Sequence, residues 1–195
     1  MSNVLDGIYN FYPPKCRYSG EQYQTSKEYK KYLEVTTNSL QRKKVDKMVY
    51  GIVESVFDGY YIKKWTNTEQ PSIHYSVLLH KNQPILDDDV ELLEALNGKR
   101  MDLEIYVSLL TKSYYLYGLE TRKQGELWEF DVFDFSLIIE KEKMNNLVQM
   151  FSEKGYSKLS KECVNENVPL IETELHEEGE AKVFQCLFSE LERIF

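Results

Sequence analysis

The sequence predicts an α+β fold, with N-terminal helices packed on a mainly antiparallel sheet and further short helices. Three observations carry that prediction. Apolar residues between 25 and 52 recur at three- to five-residue steps, the spacing of one helix face. From residue 53 to 133 the period falls towards two, and turn residues separate the runs, as in strands joined by tight connections. Beyond residue 141 helical spacing returns. Helices, then a meander, then a helix and a hairpin leave room for at most local parallel pairing. No repeat, linker or composition break divides residues 1–195, which therefore read as a single domain.

The elements follow in order. Residues 1–20 read as an extended aromatic arm packed on the body, because Pro13 and Pro14 disfavour helix in the residues before them. Thr25-Ser26-Lys27-Glu28 has the form of a capping box, Thr25 paired with Glu28. The helix it starts carries Tyr29, Tyr32 and Leu33 on one face. After a break at residues 36–39, a second helix bears Leu40, Val45, Met48, Val49 and Ile52 inward and Arg42, Lys43, Lys44 and Lys47 outward. Residues 53–57 and 60–65 flank Asp58-Gly59, a two-residue hairpin signal. Ile73, Tyr75, Val77 and Leu79 alternate with more polar residues, as in a half-buried strand. Asp87-Asp88-Asp89 opens a short acidic-capped helix that stops at Asn97-Gly98. Residues 103–110, 114–121 and 127–133 are three more strands, and residues 141–154 a helix stopped by Gly155. Residues 168–176 and 181–187 should form a hairpin across Glu177-Glu178-Gly179-Glu180.

Charge narrows the function classes. The chain of 195 residues carries 24 Lys and Arg against 32 Asp and Glu, a formal −8. Residues 1–70 hold 11 basic and 8 acidic residues and the remainder 13 and 24, so the −8 divides into +3 and −11. Such a field disfavours nucleic acid and favours basic partners. Cys16, Cys163 and Cys186 are too few and too scattered for a disulfide framework, which suits reduced thiols in a cytoplasm. The first residues show neither a basic nor an apolar leader segment, and no apolar run approaches a membrane span.

No motif for catalysis, metal or cofactor emerges. His74 and His80 are six residues apart on a strand pattern, about 20 Å at about 3.3 Å per residue, too far to share one ion. His176-Glu177 begins like HExxH, but Glu180 occupies the place of the second histidine. Cys186, among Val183, Phe184, Leu187 and Phe188 in an expected strand, reads as a small core residue rather than a nucleophile. Glu180-Ala181-Lys182 has the Glu-x-Lys form of some metal-dependent nucleases, but Glu28-Tyr29-Lys30 repeats it, as chance allows in a chain with 29% charged residues. The distinctive feature is clustered acid: Asp87, Asp88 and Asp89 with Glu91 and Glu94; Glu126, Glu129, Asp131 and Asp134; and Glu172, Glu174, Glu177, Glu178 and Glu180. Helix capping and solvation of an edge are the ordinary uses of such residues. Beside tyrosine and tryptophan anchors they also suit a surface that meets a basic protein.

Three stretches carry a resemblance. Residues 77–89 (VLLHKNQPILDDD), residues 94–100 (EALNGKR) and the pair IETEL at 171–175 with FQCLF at 184–188 resemble small bacterial proteins associated with polymorphic-toxin immunity, over roughly residues 20–190. The resemblance brings no functional residues with it. It implies a factor that binds a cognate toxin, often a basic nuclease, and blocks its active site or substrate path. Asp87, Asp88, Asp89, Glu172, Glu174, Glu177, Glu178 and Glu180 are the partner-binding residues expected on that reading. A metal-dependent hydrolase or nuclease, and a non-catalytic regulatory module with a small-molecule pocket, are the alternatives.

Overall fold

A computed structural model describes residues 2–66, 70–80 and 89–190. Five strands form a meander: β1 (Tyr61–Trp65), β2 (Ser72–Leu78), β3 (Lys99–Ser108), β4 (Ser113–Gln124) and β5 (Leu127–Phe133), each antiparallel to the next. The short β6 (Ser157–Lys158) pairs in parallel with the start of β4, so parallel pairing is local. The fold is therefore α+β, and its antiparallel core matches the alternation of residues 72–133.

Helices cover both faces of the sheet. Ile73, Tyr75, Val77, Leu103, Ile105, Val107, Tyr114 and Leu116 share one face by register and are buried there. Over them lie α4 (Ser39–Val56) and α6 (Lys141–Glu153). Val45, Met48, Val49, Ile52, Val53 and Val56 form the i, i+3, i+4 stripe that seats α4. Leu147 and Phe151 seat α6, with the Phe151 ring stacked on Tyr114 at 4.3 Å. Each such buried side chain contributes about 1.5–3 kcal/mol. The opposite face presents Tyr106 and Tyr115 to α1 (Ser2–Tyr9) and α8 (Val183–Leu187) through Ile8, Phe184 and Phe188. A further helix, α5 (Asp89–Ala95), closes Leu92 and Leu96 on Leu78 and ends at Gly98, whose φ is 81°. Among the described residues, no helix is long and apolar enough to cross a membrane.

Several expectations are corrected. Residues 2–9 are helical, not extended; only the segment around Pro13 and Pro14 is irregular, and Phe11 and Tyr12 are buried there. Ser26, not Thr25, caps the next helix. Its hydroxyl accepts from the Tyr29 backbone at 3.1 Å, while Thr25 ends α2 (Glu21–Thr25) and α3 spans Lys27–Thr37. Residues 53–56 continue α4 instead of forming a strand. Val53 and Val56 extend its inward stripe, a continuation that a short apolar run alone does not reveal. Arg42 turns inward and donates to the carbonyls of Gln70 (2.5 Å) and Ser72 (3.0 Å), tying α4 to the start of β2. The strand β2 is buried on both faces: Ser72 donates to the Phe188 carbonyl just after α8, and Ser76 lies between Trp65 of β1 and Glu104 of β3.

The largest correction concerns residues 168–187. They form no strand pair: residues 168–182 are a loop closed by the isolated bridge of Asn167 with Lys182 and by bonds from Val168 to Ala181 and from Gly179 to Ile171, and residues 183–187 are α8. Pro169 has no N–H for a ladder, and Leu170 takes a φ of 63°, which breaks strand geometry at once. Downstream, the Gln185 side chain accepts from the Lys182 backbone at 2.8 Å and starts the helical turn. Asp87 and Asp88 lie outside the described residues, and Asp89 begins α5.

Candidate functional site

The loop after residue 168 determines where the expected acidic residues go. With no strand there, Glu172, Glu174 and His176 do not line one face. Glu172 is half-buried, and its Oε1 accepts the Tyr18 backbone N–H at 3.1 Å, so it anchors the segment leading into α2. Glu174 is exposed, with Oε2 3.5 Å from the Tyr18 hydroxyl. Glu177, Glu178 and Glu180 are exposed on the turn that follows, where the Glu180 N–H bonds the Glu177 carbonyl. His176 turns back to Thr173, 3.2 Å away.

Beside this loop lies a cleft of about 220 Å³. Its described lining is Tyr12, Tyr18, Tyr23, Tyr29 and Tyr32, with Gln70, Pro71, Glu174, Leu175 and Glu190. Each wall has a local cause. The Ser26 cap starts α3 so that Tyr29 and Tyr32 lie one turn apart, with rings stacked 6.0 Å between centroids. The helix α2 holds Tyr23 edge-on to Tyr18 at 5.0 Å and 5.1 Å from Tyr29. Tyr12 follows α1, reaches Tyr32 at 5.4 Å and donates its hydroxyl to the Cys186 carbonyl at 2.8 Å. Gln70 is fixed through Ser189, at 2.7 Å. Chain order gives no hint of the assembly, because the five tyrosines come from four local structures and Glu190 from the other end of the sequence.

Electrostatics in the cleft follow from this enclosure. Burial pushes the Glu190 carboxyl up to about 7, Glu174 adds to that, and a bond from the Leu175 backbone opposes it. Burial also raises the hydroxyls of Tyr12, Tyr18 and Tyr23, and takes Tyr32 to about 12. Those four hydroxyls are therefore neutral near pH 7, while Glu190 is poised between its two forms. The sequence reading missed Tyr12, Tyr18, Tyr23, Tyr29, Tyr32 and Glu190 as a group. The available signal was the density of tyrosine in residues 9–32, since buried tyrosines need partners for their hydroxyls.

A second polar cluster lies within the sheet. Glu104 Oε2 meets Ser76 Oγ at 2.6 Å and His74 Nε2 at 2.5 Å, and Ser76 accepts from Trp65 Nε1 at 2.6 Å. Next to it on β3, burial raises Asp102 to about 6, with Glu104 adding and Arg100, 2.7 Å away, opposing. His74 is stacked between Trp65 and Tyr106. The bonds run across β1, β2 and β3, so this network pins strand register.

The other chemical candidates resolve as follows. Burial raises the thiols of Cys186 and Cys163, the opposite of what a nucleophilic cysteine needs. Cys186 lies in α8 rather than in a strand. Lys182 of the Glu-x-Lys pattern binds Asn165 Oδ1 at 3.1 Å, just before a helix rather than at a strand start. Among the described residues, no three His, Cys, Asp or Glu side chains converge as metal ligands. No protein-family model matches the chain, and no curated protein or solved structure gives a significant match.

Proposed function

We propose that this chain is a cytoplasmic, non-catalytic protein-binding factor of the immunity or antitoxin kind, which neutralises a basic cognate toxin by covering its active site or substrate path. One observation carries the reading. The exposed carboxylates of Glu174, Glu177, Glu178 and Glu180 occupy one loop, and that loop contributes Glu174 and Leu175 to the lining of a cleft walled by five tyrosines. Exposed carboxylates steer a basic partner, and tyrosines supply contact area at low entropic cost. The action is steric and electrostatic. The enclosed cleft favours a second reading, a regulatory module that takes a small molecule.

The test is co-purification with the product of the neighbouring gene, followed by the double variant Glu177→Lys/Glu178→Lys. Both side chains are exposed, so the unfolding midpoint should not move. The association rate should fall about tenfold or more at low salt and the salt dependence should shrink. A neighbouring product that neither binds nor is neutralised by the wild-type chain removes the reading.

A further inference from the structure

The tyrosine cleft is built for a positive charge. We propose that it receives one organic cation, the guanidinium or ammonium head of an Arg or Lys side chain presented by the partner protein. The source of the cation rests on the partner-binding reading above; the chemistry of the cleft does not.

Four features point the same way. The faces of aromatic rings are electron-rich and attract a cation within about 6 Å of the ring centroid. The half-buried Tyr18, Tyr29 and Tyr32 supply such rings, and contacts at 5.0 to 6.3 Å among them and with the buried Tyr12 and Tyr23 hold the walls in place before any ligand arrives. Two carboxylates, Glu174 and Glu190, share the lining, and no described lining residue is a cation. They approach from different segments, the 171–176 loop and the residues after α8, so a cation between them meets negative charge from both.

The second feature is how other aromatic rings are treated. Lys31 lies over Phe11 at 4.6 Å, Lys63 over Trp65 at 4.0 Å and Lys112 over Tyr156 at 4.4 Å. The protein covers those rings with its own ammonium groups. Among the described residues, none is placed so over Tyr12, Tyr18, Tyr23, Tyr29 or Tyr32. Size is the third. At about 220 Å³ the cleft falls below the 300 Å³ or so at which drug-sized ligands begin, and suits a single side-chain head. The fourth is Glu190 itself. A carboxyl held among rings, with a backbone N–H as its attractive partner, has its charged form disfavoured, and a bound cation restores it.

The experiment uses the full chain with tyrosine rings labelled for NMR. N-acetyl-arginine-N-methylamide is titrated in, and the citrulline analogue, neutral and of the same shape, serves as the control. Saturable shifts in the five cleft tyrosines, with the arginine probe at least tenfold tighter than the citrulline probe, support the proposal. Glu174→Gln, on an exposed side chain, should weaken the arginine probe several-fold with an unchanged unfolding midpoint, and Tyr29→Leu, which also removes ring contacts to Tyr18, Tyr23 and Tyr32, should weaken the probe at least as much. Equal binding of the two probes, shifts elsewhere on the sheet, or no saturable shift overturns it. The partner arm separates the two readings. If the neighbouring gene product binds wild type and Tyr29→Leu equally well, the cleft proposal fails and the partner reading survives. If the arginine probe binds the cleft but no partner is captured, the cation site stands and the partner reading falls.

Discussion

Replacing Glu190 with glutamine isolates the electrostatic cost built into the cleft. Burial, and then Glu174, lift this carboxyl from 4.5 to about 7, against a hydrogen bond from the Leu175 backbone. The folded-state value lies above the unfolded one. The stability linked to this group is therefore fully present below about pH 4.5 and is lost as pH rises through about 7. At about 1.4 kcal/mol for each tenfold change in proton affinity, the loss reaches about 3 kcal/mol by pH 8. Glutamine keeps the shape and can still accept the Leu175 bond, but it never ionises. Urea unfolding at pH 4.5 should find the two proteins within about 0.5 kcal/mol of each other, because wild-type Glu190 is then neutral in the folded state and only half ionised in the unfolded one. At pH 8 the variant should be more stable by about 3 kcal/mol. A gap that does not change with pH, or a variant less stable at pH 8, refutes the reasoning. The arginine probe supplies the functional counterpart. Its affinity for wild type should rise between pH 6 and 8 as Glu190 ionises, and Glu190→Gln should flatten that rise. Tyr12, Tyr18, Tyr23, Tyr32 and Cys186, all of which feel the Glu190 charge, stay neutral there because burial raises them. A variant that gains stability and loses affinity marks a charge kept for binding rather than for folding.

Two further predictions concern the scaffold that positions the cleft. Ser26→Ala removes the hydroxyl that caps α3 and should cost about 1 kcal/mol by urea unfolding, whereas Thr25→Ala, which loses only a bond to the Glu21 carbonyl within its own helix, should stay within about 0.5 kcal/mol of wild type. In β4, Gly118 lies under the Phe133 ring of β5, and a methyl group there would sit 2.7 Å from a ring carbon. Gly118→Ala should therefore cost about 1–3 kcal/mol in thermal or urea unfolding. Combining it with Phe133→Leu should cost less than the two single changes added together, since the clash is shared.

What was legible in the sequence follows a physical rule. The stripe Val45, Val49, Ile52 and the alternation Leu103, Ile105, Val107 were readable because one-sided burial imposes a period on composition. The stop at Gly98 and the turn at Gly125 were readable because positive φ selects glycine. Residues 183–187 look alike as helix or strand because a short run buried almost throughout has no period, and residues 53–56 because Val53 and Val56, with exposed Glu54 and Ser55 between them, give a single step too short to show one. The acidic loop has a different cause: Pro169 already argues against a strand, but the φ of 63° at Leu170, whose carbonyl accepts from Lys15, comes from a tertiary contact.

The sequence by itself determined the class of the fold, the meander between residues 61 and 133, and the excess of acid in the last two thirds. Those properties are local or summed, and each leaves a mark on neighbouring residues or on composition. Only the tertiary structure decided that Tyr12, Tyr18, Tyr23, Tyr29 and Tyr32 meet Glu174 and Glu190 around one cleft. Their meeting depends on how the segments around α1, α2, α3 and α8 pack on one another. Contacts between residues more than 140 positions apart leave no periodic trace in either segment.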